Sequence, residues 1–129
     1  MGMTVANQRY DLSRAITQRW KNCATEQFNT YVSYTKIKEL KITGSGLVRV
    51  KFDLKISNVA DIAYGKIYIN GNPVGTERTN GTTTYVTFSE DFNVSDGDLI
   101  QVYGKTSNIY TFYVTNLDLY GLPAASETL

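Results

Sequence analysis

The sequence predicts an all-β protein, an antiparallel β-sandwich of jelly-roll type with seven to eight strands. Apolar and charged residues alternate without interruption over Val48–Ile56, as in a strand with one face on a core and the other in water. In residues 94–103, an Asp-Gly-Asp turn leads into a second strand. Further turn signals recur about every ten residues, a spacing typical of sandwiches and jelly rolls rather than of βαβ folds.

The first thirty residues differ from the rest of the chain. Ile16, Trp20 and Cys23 fall at helical spacing, and Asp11 stands where a helix N-cap is expected. Residues 1–30 are therefore predicted to form a short amphipathic helix or an extended arm. Trp20 either folds back onto the sandwich or contacts a neighbouring subunit, and both alternatives stay open at this point.

The β-sandwich domain is predicted to span residues 31–122. Asn70-Gly71 is the strongest hairpin signal, because both central residues of a type I′ turn need a positive φ. A change of alternation near Thr115-Asn116 indicates a β-bulge in the last strand. Residues 123–129 are small and polar and are expected to form a flexible tail. The predicted strands are 34–42, 47–57, 64–70, a return strand from 74, 82–92, 99–105 and 109–120.

Length and composition restrict the class of partner. The chain has 129 residues, enough for one domain with its own core, and a formal net charge of +1, so bulk charge gives no reason to expect nucleic acid as a partner. No apolar stretch approaches the roughly 18 residues of a membrane span, and no membrane partner is expected. The start of the chain carries no apolar leader. We therefore expect synthesis in a cytoplasm and release by assembly or lysis.

The residues that usually carry chemistry are sparse. There is no histidine, the commonest general base and metal ligand, and the single cysteine excludes an intrachain disulfide framework. Asp96 and Asp98 flank a glycine; a plain turn explains them, and a calcium site is the alternative. Nothing indicates a nucleophile with its base, paired carboxylates in a cleft, or a phosphate-binding loop. We therefore expect no enzyme, no catalytic residue and no cofactor.

The ten tyrosines are the most distinctive feature of the composition. Tyrosine suits half-buried sheet positions, and it also suits contact surfaces. The structural explanation is that these rings cover sheet surfaces and edges. The functional explanation is that they form a platform for a sugar or a neighbouring protein. The interaction candidates are Trp20, Tyr64, Tyr68, Tyr103, Tyr110 and Tyr113.

Several segments together resemble a known class of module. They are Tyr34–Glu39, Val48–Ile56, Gly65–Gly71, Pro73–Glu77, Val94–Tyr103 and Val114–Gly121. Over roughly residues 31–122 the chain resembles the small β-sandwich modules of tailed-phage and other virion proteins. The resemblance implies a non-enzymatic structural protein, capsid-decorating or tail-associated, that acts through homo-oligomeric assembly. Its partners would be copies of itself and other virion proteins, and its location the virion.

A second function stays open beside assembly. A carbohydrate-binding or receptor-binding β-sandwich would use exposed tyrosines to hold a host-surface glycan. This alternative predicts that Tyr→Ala changes at one exposed cluster abolish glycan binding while the fold survives.

Overall fold

The computed structural model describes residues 19–23, 27–30, 32–121 and 124–127, with the backbone alone for 19–23, 27–28 and 124–127. Within these ranges the chain forms no helix, and so no helix there is long and apolar enough to cross a membrane. The strands of the described residues are β1 Arg19–Cys23, β2 Gln27–Asn29, β3 Thr35–Thr43, β4 Gly46–Ile56, β5 Ala63–Ile69, β6 Asn72–Pro73, β7 Arg78–Asn80, β8 Val86–Val94, β9 Leu99–Thr106, β10 Phe112–Gly121 and β11 Ala124–Glu127.

Two antiparallel sheets form the sandwich. Sheet A has the order β1, β10, β4, β8, and β2 continues the β1 edge beside β10. Sheet B has the order β11, β3, β9, β5, β6, and β7 also pairs with β5. From β3 onward the chain passes repeatedly from one sheet to the other, as in a jelly roll. The predicted fold class is confirmed.

The core lies between the sheets and follows from the alternation in β4. From Val48 to Ile56 every second residue of β4 is buried, so these apolar side chains enter the core and the charged ones between them lie outside. Each such side chain contributes about 1.5–3 kcal/mol when fully buried. The buried apolar residues are Ile37, Leu40, Ile42, Val48, Val50, Phe52, Leu54, Ile56, Ala63, Ile67, Val94, Ile100, Val102, Phe112, Val114, Leu117 and Leu119.

Two glycines of sheet B make room for two aromatic rings of sheet A. Gly65 in β5 and Gly104 in β9 lie directly opposite each other. A Cβ atom on Gly65 would lie 2.8 Å from the ring of Phe52, and one on Gly104 would overlap the ring of Phe112. Both rings are buried. We call Gly65 and Gly104 the glycine recess, because their missing side chains leave the space that these rings fill.

Asp61 fastens the end of the sandwich where β5 begins. Its Oδ1 accepts the backbone N–H groups of Ile62, at 2.7 Å, and Ser107, at 3.0 Å, and the Ser107 hydroxyl; its Oδ2 accepts the N–H of Tyr110 at 3.0 Å. Burial by itself would raise the pKa of the Asp61 carboxyl, but these hydrogen bonds outweigh burial and hold that pKa below its usual value. The carboxylate therefore ties the start of β5 to the segment between β9 and β10.

The hairpin and the bulge lie where the sequence predicts them. Asn70 and Gly71 have φ values of 54° and 83°, both positive as a type I′ turn requires. In β10 the pairing with β4 shifts between Thr115 and Asp118, and Asn116 has a φ of 52°. The bulge moves the apolar side chains of β10 back into phase with the core.

Two strand boundaries differ from the prediction. No strand starts at 74: β6 ends at Pro73, the N–H groups of Val74 and Gly75 both turn to the Ile67 carbonyl, and the pairing with β5 resumes in β7. The strand predicted over 82–92 begins at Val86. Before it, the side chain of Asn80 bonds the backbone of residues 82 and 84 and holds them in a turn.

The two ends of the chain also differ from the prediction. Arg19–Cys23 and Gln27–Asn29 are strands beside β10, so the helical spacing of Trp20 and Cys23 does not produce a helix there. Ala124–Glu127, expected in a flexible tail, pairs with β3. Both segments satisfy backbone groups at a sheet edge, and this long-range pairing outweighs local propensity. The rest of the predicted arm, residues 1–18 and 24–26, lies outside the described residues. Eight of the described strands, β3 to β10, lie within the predicted domain of residues 31–122, in agreement with the predicted number.

We expect Gly104→Ala to lower the free energy of unfolding by about 1–3 kcal/mol, the usual cost of overpacking a filled core. Gly81→Ala is the matched control, because its Cβ would have no neighbour closer than 3.7 Å and its stability should stay within about 1 kcal/mol of the original chain. Urea denaturation of the two variants measures the difference. Equal stabilities would contradict the glycine recess.

We expect Asp61→Asn to destabilise the fold by about 1–3 kcal/mol near neutral pH, because an amide has one acceptor oxygen and leaves a backbone N–H facing its own NH₂ group. The pKa of Asp61 is lower in the folded than in the unfolded chain. Its contribution is therefore complete above the unfolded value of about 3.9 and is lost as the pH falls through the folded value.

Urea denaturation at neutral pH and again below about pH 4 should show the gap between the two proteins closing in acid. Asp96→Asn serves as the control, since the Asp96 carboxylate lies in an exposed turn. A gap that stays constant with pH would show that Asp61 contributes through packing rather than through its charge.

Candidate functional site

The outer face of sheet B collects tyrosines from three parts of the chain. Tyr64 and Tyr68 alternate with core residues along β5, and Tyr103 does so along β9. Tyr34 stands directly before β3. All of them are half-buried. We call Tyr34, Tyr64, Tyr68 and Tyr103 the tyrosine face.

The rings of the tyrosine face contact one another. Tyr68 and Tyr103 stack with their centroids 3.7 Å apart and their planes 9° from parallel. The ring of Tyr34 lies 6.3 Å from that of Tyr68, at 51°. Aromatic contacts of this kind add about 0.5–1.5 kcal/mol to the burial of the rings, so the face is held in one arrangement before any ligand arrives.

The hydroxyl of Tyr34 donates a hydrogen bond of 2.6 Å to Oε2 of Glu77. Burial raises the pKa of Tyr34 far above its ordinary value, and the bond to the Glu77 carboxylate raises it further. Burial, and then the neighbouring Tyr103, also raise the pKa of Tyr68. Both phenols therefore stay protonated and keep a hydroxyl at the surface.

Two lysines lie among these rings. Nζ of Lys105 lies 4.8 Å from the ring centroid of Tyr64 and 5.1 Å from that of Tyr34. Nζ of Lys66 lies 6.0 Å from the centroid of Tyr34. Contacts of an ammonium with ring faces at such distances are attractive.

A network of polar side chains connects β9 to β3 and to the hairpin at Asn70-Gly71. Nε2 of Gln101 donates to Glu39 Oε2 at 2.7 Å, and Lys36 pairs with the same oxygen at 3.0 Å. Oε1 of Gln101 accepts the N–H of Gly71 at 2.9 Å. Because Gln101 lies directly opposite Tyr68, this network fixes the position of β5 and its hairpin against β9.

Tyr113, another predicted candidate, lies on the opposite side of the molecule. It belongs to the outer face of sheet A, where Nζ of Lys55 lies 4.6 Å from the Tyr85 ring and 4.9 Å from the Tyr113 ring. Lys51 lies 4.8 Å from the ring of Tyr120. Apart from Tyr110, the tyrosines that the structure describes therefore lie on two separate surfaces, one on each sheet.

Charged side chains on the outer face of sheet A form ion pairs and hydrogen bonds with neighbouring side chains. Arg49 bonds both carboxylate oxygens of Asp91, at 2.7 and 2.9 Å, and this bond lowers the pKa of Asp91. Asp53 accepts hydrogen bonds from Thr87 at 2.6 Å and Asn116 at 2.8 Å. The outward charged residues of β4 are thus half-buried in local contacts instead of being freely solvated.

The remaining candidates belong to other parts of the fold. Tyr110 packs against the core at one end of the sandwich, where its N–H bonds Asp61. The backbone of Trp20 lies in β1 at the edge of sheet A. Asp96 and Asp98 accept N–H bonds from Gly44 and Ser95, both at 2.8 Å. Among the residues that the structure describes, no three histidine, cysteine, aspartate or glutamate side chains gather in a way that would hold a metal ion.

Sequence reasoning found Tyr64, Tyr68 and Tyr103 but missed the other members of the site. Lys66 and Lys105 follow from the same alternation, since they are the next outward residues along β5 and β9. The role of Tyr34 depends on Glu77, which is 43 residues away in the sequence. No local pattern indicates that contact.

Comparisons with known proteins agree with the fold. No protein-family model and no curated protein matches the chain. A solved structure described as the EclA C-terminal domain, a sugar-binding protein, matches with a TM-score of 0.57 and 13% identity, over 74% of this chain and 77% of that one. At this identity the likeness concerns the fold alone.

Two further structures score below 0.5, and we draw no conclusion from them. The CBM22-1 xylan-binding domain from Paenibacillus barcinonensis Xyn10C gives a TM-score of 0.49 at 10% identity, over 81% of this chain and 94% of that one. A chain of the cowpea mosaic virus top component gives 0.40 at 6% identity, over 84% and 87%. The two sheets themselves make the fold a β-sandwich, whereas the narrower resemblance to tailed-phage proteins stays a prediction.

Proposed function

We propose that the protein is a non-catalytic carbohydrate-binding β-sandwich and that the tyrosine face holds the glycan. The observation that carries the proposal is the gathering of Tyr34, Tyr64, Tyr68 and Tyr103 on the outer face of one sheet. The apolar C–H surface of a sugar ring packs on aromatic carbon, while its hydroxyls need hydrogen-bonding groups at the edges. The face offers both, since tyrosine rings alternate there with hydroxyl and ammonium groups.

The rigidity of the site supports the same function. Three of the four tyrosines stand on the paired strands β5 and β9, which are supported by the stacking of Tyr68 on Tyr103 and by the Glu39–Gln101 network. A site held in place before binding loses less conformational entropy when the ligand arrives. The fold match to a sugar-binding domain is in keeping with this function.

Assembly into a virion, with copies of itself and other virion proteins as partners, remains a prediction from the resemblance alone. The same holds for location in the virion. A receptor-binding module of a virion would combine virion assembly with glycan binding, because its ligand would be a host-surface glycan.

We expect Tyr68→Ala and Tyr103→Ala each to weaken glycan binding by about tenfold or more, since each removes one ring of the stacked pair and frees the other. A glycan array identifies a ligand for the original chain, and isothermal titration calorimetry then measures its affinity for each variant. Circular dichroism confirms that the variants remain folded.

Tyr113→Ala is the matched control, because it removes a half-buried tyrosine from the outer face of sheet A. It should bind the glycan as the original chain does. A folded Tyr68→Ala variant with unchanged affinity, or an affinity lost only in Tyr113→Ala, would move the site away from the tyrosine face.

A further inference from the structure

The two sheet faces hold lysines between tyrosines in nearly the same way but differ in how the positive charge is balanced. Lys55 on sheet A lies between Tyr85 and Tyr113, and Lys105 on sheet B lies between Tyr34 and Tyr64. The four distances from ammonium to ring centroid run from 4.6 to 5.1 Å. The similarity makes the charges around each lysine directly comparable.

On the outer face of sheet A the described charges balance. The cations are Arg49, Lys51 and Lys55, and the anions are Asp53, Asp91 and Asp118, which lie on β4, β8 and β10 of the same face. Arg49 makes a direct two-bond pair with Asp91. An approaching anion would therefore meet no excess positive charge from the described residues of this face.

On the outer face of sheet B the described cations outnumber the anions. Lysines at positions 36, 41, 66 and 105 stand against Glu39 and Glu77. Lys36 is paired with Glu39, and Glu77 accepts the hydroxyl of Tyr34. No described carboxylate lies within ion-pair distance of Lys66 or Lys105; their recorded contacts are with tyrosine rings.

We propose, building on the proposed function, that the tyrosine face binds an acidic saccharide whose carboxylate or sulfate is held by Lys66 and Lys105. Both ammonium groups lie within 6.0 Å of the Tyr34 ring centroid, so they converge on one region of the face. A sugar ring packed against the tyrosines brings its acidic group to these ammonium groups. The half-buried setting strengthens the charge-assisted hydrogen bonds that form there.

The test compares matched saccharides by isothermal titration calorimetry. The probes are galacturonate and glucuronate tetramers, their carboxyl-reduced neutral counterparts, and a sulfated chondroitin tetramer. We expect the acidic tetramers to bind at least about tenfold more tightly than the neutral ones, as expected for charge-assisted hydrogen bonds. This preference should decrease with added salt.

The double variant Lys66→Gln with Lys105→Gln should lose the preference for acidic probes and keep its affinity for the neutral ones. Lys55→Gln is the matched control, because it removes a lysine held between two tyrosines on the balanced face. It should bind every probe as the original chain does.

The outcomes separate the two proposals. Neutral tetramers that bind as tightly as acidic ones, through Tyr68 and Tyr103, would overturn the acidic preference and leave the glycan site standing. An acidic preference that survives the double lysine variant would overturn the role of these two lysines. If no saccharide of the array or of this panel binds the original chain, the proposed function and this inference both fail.

Discussion

The contact between the glycine recess and the phenylalanine rings determines how the two sheets meet. Phe52 and Phe112 enter from sheet A at the point where Gly65 and Gly104 lie opposite each other in sheet B. A side chain at either glycine would force the sheets apart or displace a buried ring, because protein cores are packed about as densely as organic crystals. The remaining core side chains fill the space that this contact defines.

The same two glycines also position the tyrosine face. Successive residues of a strand point to opposite sides of the sheet, so the neighbours of Gly65 and Gly104 all face outward. These neighbours are Tyr64, Lys66, Tyr103 and Lys105. The inner recess and the outer site are therefore opposite sides of the same pair of strands, and the packing that holds the rings of sheet A also keeps the proposed binding surface rigid.

The two faces illustrate how similar local contacts can serve different purposes. Both faces hold lysines over tyrosine rings. On sheet A, aspartates balance the charges of the cations. On sheet B the network of Glu39 and Gln101 uses one lysine and leaves Lys66 and Lys105 with aromatic partners. Charge balance over a whole face, and not any single contact, distinguishes a structural surface from the proposed binding surface.

The alternation of β4, the turn at Asn70-Gly71 and the bulge near Asn116 could be predicted from the sequence, because each depends on residues close together in the chain. The sequence also offered Tyr64, Tyr68 and Tyr103 as interaction candidates, but it could not separate them from Tyr110 and Tyr113. Tertiary structure alone decided that Tyr34 joins them, that Tyr113 lies on the other sheet, and that the terminal segments pair as edge strands. These outcomes depend on contacts between distant residues, and the free energy of such contacts is determined only when the sheets have formed.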